Sequence, residues 1–300
     1  MPRVLRSPYW PLHLMLLPGL ILVLIYSYGP MVGIVIAFQK FMPAKGGLFA
    51  SDWTGLANFR YVLDLPDSIR VLKNTVVIAA FKIIVGFVVP IVVSLLLNEV
   101  RKELFKRSVQ TLIYLPHFLS WIILGGILID VLSPSSGIVN QFLGWFGIDS
   151  IYFLGDNSWF RPVLVISDVW KEFGFNTIVY LAALTSINPS LYEAAIVDGA
   201  GRWKQTLHVT LPGMMPIIVL TMTLAMGNVL NAGFDQVFNL YSPQVYETGD
   251  IIDTFVYRIG LVDAQYGVAT AVGLFKSVVS LAFISASYYL AYRFANYRIF

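Results

Sequence analysis

The chain of 300 residues contains no cysteine, which excludes disulfides and thiolate metal sites together. Its three histidines, His13, His117 and His208, stand far apart and beside no pair of carboxylates, so a histidine-based metal centre is not expected. The dipeptide Gly-Lys never occurs. With it goes the GxxxxGK[ST] loop, whose backbone amides and lysine hold the β- and γ-phosphates, so no ATP-hydrolysing site is expected. Charge is also scarce: 12% of residues are charged, against about a quarter in an ordinary soluble domain. A net charge of +3, dispersed along the chain, gives no footprint for nucleic acid. No repeat and no low-complexity linker divides the sequence.

Apolar residues are abundant, at 57% of the chain, and they fall in long runs. A transmembrane helix needs about 20 mostly apolar residues. Six segments meet that length, at 12–38, 72–98, 109–131, 162–187, 206–231 and 268–294. The expectation is an all-α polytopic membrane protein of six transmembrane helices, with residues 1–300 as one membrane domain. The first segment is longer than the apolar core of a secretory signal and has no small-residue cleavage site after it, so it reads as a helix, bent near Pro30. Pro212 and Pro216 predict a kink early in the fifth.

Basic residues set the orientation. Arg3, Arg6, Arg101, Lys102, Lys106, Arg107, Arg202, Lys204, Arg293 and Arg298 share one side with only Glu99, Glu103, Glu193 and Asp198. The opposite connections hold Asp52, Asp64, Asp67, Asp149, Asp156, Glu247, Asp250, Asp253 and Asp263. Both termini are therefore expected in the cytoplasm. Among the external connections, Ile251, Phe255 and Ile259 recur every four residues. They suit a short helix at the outer surface, either a simple interfacial helix or a docking face for an external partner.

Lys82, Lys171 with Glu172, and Lys276 interrupt the apolar segments. A charge at the bilayer centre costs about 2.5–3.5 kcal/mol on insertion scales, so such groups face protein or water. Two readings stay open. Lys171 and Glu172 pair locally while the other lysines snorkel outward, or the lysines line an outward cavity suited to an acidic sugar. In the second reading Trp170, Phe173 and Phe175 stack on sugar rings, and Asn228 and Asn231 bond hydroxyls.

The least membrane-like passage between two apolar segments is EAAIVDGAGRWKQTLHVTLP, Glu193 to Pro212, on the cytoplasmic side of the expected topology. Asn188 is a good N-cap, Pro189 suits the first helical position, and Gly199 is placed to end the helix with a positive φ. The result is a helix over about 189–199. Ala194 and Ala195 give it a smooth flank, and Glu193 and Asp198 give it charge. Such an element is a peg presented to a soluble partner.

That passage resembles the cytoplasmic motif of permease subunits of bacterial binding-protein-dependent ABC importers. The motif reads Glu-Ala-Ala, three residues, Gly, nine residues, Ile, one residue, Leu-Pro. Here Glu193-Ala194-Ala195, Gly199 and Leu211-Pro212 fall at those spacings, with Val209 where Ile is usual. YGPMVGIVIAFQKF, YLPHFLSWIILGGIL, VWKEFGFNTIVYLAAL and the stretch from FDQVFNLY to VYRIGL resemble the carbohydrate, LplB-like branch, which handles oligosaccharides and polysaccharides such as alginate.

The resemblance implies a type I importer fold in the bacterial cytoplasmic (inner) membrane. Its partners would be a second homologous permease, two ATPase subunits, an extracytoplasmic solute-binding protein, a carbohydrate substrate and membrane lipids. ATP and Mg would be bound by the ATPase, with no cofactor in this chain. It also implies that Glu193 to Pro212 forms a coupling helix and loop, with Glu193 meeting a basic residue of the ATPase. An ABC permease for a non-sugar solute is the alternative. A secondary transporter would show inverted repeats with paired interrupted helices, and none is visible. A membrane enzyme would need a catalytic constellation within the bilayer, for which Lys171 and Glu172 alone are too little.

Overall fold

The run WPLHLMLLPGLILV begins a nearly continuous helical path, as its unbroken apolar character requires, in a computed structural model that describes residues 10–295. The expectations resting on Arg3, Arg6 and Arg298 lie outside that range. Residues up to Ser68 with Val256–Phe275 form one compact unit, and Ile69–Phe255 with the residues from Lys276 form another.

In the first unit, α1 (Trp10–Val23) continues into a π turn at Leu24–Tyr28 and a 3-10 stretch at Gly29–Phe38. The irregularity expected at Pro30 is thus a change of winding. Pro30 has no N–H for an α bond, so the turn widens before it and tightens after it. A short antiparallel ribbon follows, β1 (Gln39–Lys40) against β2 (Asp52–Trp53), with Gln39 opposite Trp53. Phe38 stacks on Trp53 at 5.6 Å and meets Phe59 of α2 (Ala57–Asp64) at 5.3 Å. Asn58 anchors the ribbon by donating to the carbonyls of Ala37 (2.9 Å) and Gln39 (3.0 Å). Gly267 packs so closely that a Cβ there would sit 2.6 Å from the Gln39 carbonyl oxygen.

The second unit is organised by α3 (Pro66–Glu99), whose buried residues Val71, Asn74, Thr75, Ile78, Ala79 and Lys82 share one face at helical spacing. Next come α4 (Glu103–Tyr114), a 3-10 turn at Leu115–Phe118, α5 (Trp121–Val131) and α6 (Ile138–Gly144). The single helix expected over 109–131 is instead a pair bent by 102°. Pro116 cannot continue the ladder, Leu119 and Ser120 are extended, and the Ser120 hydroxyl accepts from the Ile123 N–H to restart the helix.

The long helix α7 (Asn157–Thr185) is capped by Asp156, whose carboxylate accepts from the Ser158 N–H at 2.6 Å. It crosses α4 at Gly174, where any side chain would collide with the Ile113 carbonyl. A three-residue link leads to α8 (Pro189–Val197) and then α9 (Arg202–Gln205). The distortion expected around Pro212 takes the form of a π turn at Thr206–Thr210, ahead of α10 (Leu211–Met226). The fifth segment therefore ends at Met226, not at 231. Gly227 lies against Ile284, and Gly233, at φ +89°, reverses the chain into α11 (Phe234–Leu240). Short helices α12 (Tyr246–Gly249) and α13 (Ile252–Tyr257) precede the long α14 (Tyr266–Ala295).

Among the described residues, four helices are long and apolar enough to cross a membrane, at Trp10–Phe38, Pro66–Glu99, Arg202–Met226 and Tyr266–Tyr289, and the bent pair makes a fifth if counted as one span. Every membrane-length stretch of α7 contains Asp168, Lys171 and Glu172, which keeps it off that list despite its 29 residues. The stripe Ile251, Phe255 and Ile259 turns inward: all three are buried, so it presents no docking face.

Phe160, Leu164, Ile78, Val237, Val245 and Ile251 form the central apolar cluster of the second unit. Beside it Asn74 is buried and fully used. It donates to the carbonyls of Glu247 (3.0 Å) and Asp250 (3.1 Å) and accepts from Arg161 at 2.7 Å. Asn74→Ala strands three polar groups, and the expected cost is about 3 kcal/mol. It is read as a lowered thermal midpoint in detergent, with Asn74→Asp intermediate because it keeps the Arg161 acceptor.

Candidate functional site

A cavity of about 670 Å³ opens in the second unit between α3, α7 and the end of α10. Lys82, Asp168, Glu172, Asn176, Asn228 and Asn231 supply its polar lining. Ile83, Gly86, Phe87, Val169 and Tyr180 supply apolar wall. On α7 the polar lining residues recur at positions 168, 172 and 176, one helical turn apart, so a single face of that helix looks into the space.

Lys82 is the most deeply held of these charges. Its ammonium donates to Asp168 Oδ1 (3.1 Å), to the Ala232 carbonyl (2.7 Å) and to Gln236 Oε1. An ammonium has three protons, and all three are engaged. Gln236 is fixed in turn, donating to the Leu164 carbonyl and the Ser167 hydroxyl, both at 2.8 Å. Lys82 therefore ties α3 to α7 and to the entry of α11.

A second network sits at the helix break. Lys171 donates to the His117 carbonyl (2.8 Å) and to Glu172 Oε1 (2.9 Å), and its ammonium lies 5.8 Å from the Trp121 ring. Glu172 Oε2 is 2.7 Å from His117 Nδ1, and the His117 ring stacks on Phe175 at 4.1 Å. The broken ladder between α4 and α5 leaves carbonyls without N–H partners, and Lys171 satisfies one of them.

The sequence-derived residues divide accordingly. Lys82, Glu172, Asn228 and Asn231 line the cavity. Lys171 is turned to the break. Trp170 lines a separate apolar hollow with Leu128, Phe153 and Ile166. Lys276 pairs with Asp253 and lies outside the cavity lining. The lysines neither snorkel nor line the cavity together, because each has found an acceptor on its own side of the fold. Asn228 and Asn231 belong to the turn after α10, not to a helix.

Sequence reasoning passed over Asp168, Gln236 and the His117–Glu172 pair. Asp168 was detectable, standing three and four residues before Lys171 and Glu172, and a buried Lys82 demands a nearby carboxylate. Gln236 gave no signal, since its role depends on the reversal at Gly233.

The peg is built as its local chemistry dictates. Asn188 Oδ1 accepts from the Ser190 N–H at 3.0 Å, Pro189 opens α8, and Gly199 has φ +75°. The Ala200 N–H closes the end on the Ala195 carbonyl at 2.8 Å. Glu193, Ile196, Val197 and Asp198 are exposed, as is Trp203 just beyond. Tyr192 hydroxyl meets Thr210 Oγ1 at 3.0 Å, which ties α8 to the π turn before Leu211 and Pro212. Arg202 reaches Glu99 at the end of α3 (2.9 Å).

The family model described as binding-protein-dependent transport system inner membrane component matches residues 82–296. The chain is similar to the polygalacturonan/rhamnogalacturonan transport system permease protein YteP of Bacillus subtilis (strain 168), at 44% identity over 99% of this chain and 92% of that one. Protein LplB of the same organism is 40% identical, again over 99% and 92%. Among solved structures, a bacterial ABC transporter involved in the import of the acidic polysaccharide alginate contains a chain that superposes with a TM-score of 0.89. That chain is 42% identical, with 95% of this chain and 96% of that one covered. The same TM-score, at 40% identity, holds for a bacterial alginate ABC transporter in complex with alginate pentasaccharide-bound periplasmic protein. The exposed peg, the helix-lined cavity and these likenesses agree: the chain belongs to the inner membrane components of binding-protein-dependent transport systems, and is a multi-pass permease subunit of a bacterial ABC importer.

Proposed function

We propose that this permease moves oligosaccharides or polysaccharide fragments from an extracytoplasmic binding protein into the cytoplasm, driven by a separate ATPase that grips the chain through Glu193–Pro212. In this reading the chain crosses the membrane six times with both termini cytoplasmic, and residues 1–300 act as one permease domain. The sixth span is α7, whose Asp168 pairs with Lys82 and whose Lys171 and Glu172 pair with each other, with Glu172 also meeting His117. A second permease completes the path. Two ATPase subunits bind ATP and Mg, and this chain carries no cofactor of its own.

The observation that carries the reading is the continuity of α7. One helix presents Asp168, Glu172 and Asn176 to the cavity, then passes through Ser186–Asn188 directly into the exposed peg α8. Glu193 and Asp198 project charge from the peg, Ala194 and Ala195 leave room for a groove wall, and Gly199 sets the turn. Energy from ATPase closure thus has a mechanical route to the cavity. The carbohydrate substrate is supported by the polygalacturonan/rhamnogalacturonan and alginate transport of the similar proteins and by the amide-rich, partly apolar lining, which suits hydroxyls and sugar ring faces.

The test is reconstitution of the whole importer in proteoliposomes. ATP hydrolysis is expected to rise with loaded binding protein and to drive carbohydrate uptake. Glu193→Lys and Gly199→Asp are expected to lower that stimulation about tenfold or more, within the usual range of coupling energies. The thermal midpoint of Glu193→Lys should change little, because that site is exposed, whereas Gly199→Asp also carries the strain of a side chain at φ +75°. Uptake by this chain alone without ATP would refute the assignment. Stimulation by a binding protein loaded only with a non-sugar solute would redirect the substrate. Tyr192→Phe, which removes the bond to Thr210, is expected to keep assembly and ATP binding but weaken stimulation severalfold.

A further inference from the structure

We propose that Asp168 is the specificity-determining group on this wall of the cavity, accepting hydrogen bonds from sugar hydroxyls and disfavouring a sugar carboxylate. The inference deepens the carbohydrate reading above and rests on it.

The argument begins with which groups remain available. Lys82 lines the cavity but spends its three protons on Asp168, Ala232 and Gln236, and its side chain is only 8% exposed. It holds Asp168 and has nothing left for a ligand. Asp168 uses Oδ1 for Lys82, while Oδ2 carries no hydrogen bond among the described residues and the side chain is 25% exposed. Glu172 also lines the space, yet each of its oxygens already has a partner, Lys171 or His117, whereas Asp168 Oδ2 has none among the described residues. Lys171 and Lys276 are absent from the lining and paired elsewhere.

The remaining polar lining is amide, apart from the Tyr180 and Thr221 hydroxyls, which bond each other at 3.0 Å. Asn176 and Asn228 make no side-chain hydrogen bond among the described residues, and Asn231 uses Oδ1 for the Gly233 N–H at 3.3 Å. Amides and hydroxyls both donate and accept, so they read either kind of sugar edge. Asp168 Oδ2 only accepts. A hydroxyl placed against it gains a charge-assisted bond, whereas a uronate carboxylate meets a second acceptor of the same charge. Lys82, the sole cation of this lining among the described residues, has no proton left for that carboxylate, so no direct ion pair on this wall compensates it. The wall therefore favours the hydroxyl edge of the sugar, and any carboxylate must turn away from it.

Asp168→Asn tests this directly. Its amide oxygen must face Lys82, which can only donate, so the NH₂ group faces the cavity and the acceptor becomes a donor. The probes are an oligogalacturonide and its methyl ester of equal length, which share hydroxyls and differ in carboxylate charge. Transport is measured in proteoliposomes holding the complete importer, at saturating loaded binding protein.

The acid-to-ester rate ratio is expected to rise about tenfold in Asp168→Asn, the change expected for one hydrogen bond to a charged group. Lys82→Met/Asp168→Asn, which leaves no buried charge unpaired, is the second variant, and its ratio should also move toward the acid. If both variants assemble and the ratio stays within about twofold of wild type, the role of Asp168 is overturned. A wild-type importer that moves neither probe and is stimulated only by a binding protein loaded with a non-sugar solute instead overturns the carbohydrate reading, and this inference with it.

Discussion

A buried ammonium inside a membrane-length helix has to find an acceptor for each of its protons, and Lys82 finds three on three different segments. That requirement fixes much of the second unit. It brings Asp168 of α7 to α3, holds the Ala232 carbonyl of a non-helical turn, and positions Gln236 at the start of α11. Gly233 makes the arrangement feasible: its φ of +89° turns the chain, and a Cβ there would lie 3.0 Å from the Lys82 ammonium. Replacing the pair by apolar residues of similar size is often neutral for stability. The geometry it imposes on the cavity wall is therefore the more telling reason for its presence.

The apolar spans of α3, α10 and α14 were legible because hydrophobic length is a direct physical demand of the bilayer. So was the peg, since Asn188, Pro189 and Gly199 each act locally, through a cap, a fixed φ and a positive φ. The break between α4 and α5 was harder to see. LPHFLS contains one proline, and a lone proline in an apolar run is common within transmembrane helices. The bend of 102° requires in addition that Lys171, far away in sequence, satisfy the carbonyl of His117.

The same reason explains why the partners of Lys82 and Lys276 were not legible. From sequence, Lys82 and Lys276 are each an isolated charge in apolar surroundings, which leaves both snorkelling and a shared cavity open, while Lys171 has Glu172 beside it. In the fold each has its own counter-charge: Asp168, Glu172 and Asp253. Ion pairing depends on which helix faces meet, and that is decided by packing such as the contact of Gly174 on Ile113. The inward turn of Ile251, Phe255 and Ile259 follows from the same rule, because periodicity identifies an apolar face without saying which body covers it.

The three-residue link between α7 and α8 also has a geometric consequence. Glu172 and Pro189 are separated by 17 positions, most of them in one rigid helix, which is roughly 25 Å at 1.5 Å per residue. If α7 pivots as a rod near its inner end, a tilt of about 10° carries the carboxylates at the other end through roughly 4 Å, more than the length of a hydrogen bond. Such a lever turns a small angular input into the making and breaking of every polar contact along one wall. It needs no unfolding and no slack in the chain.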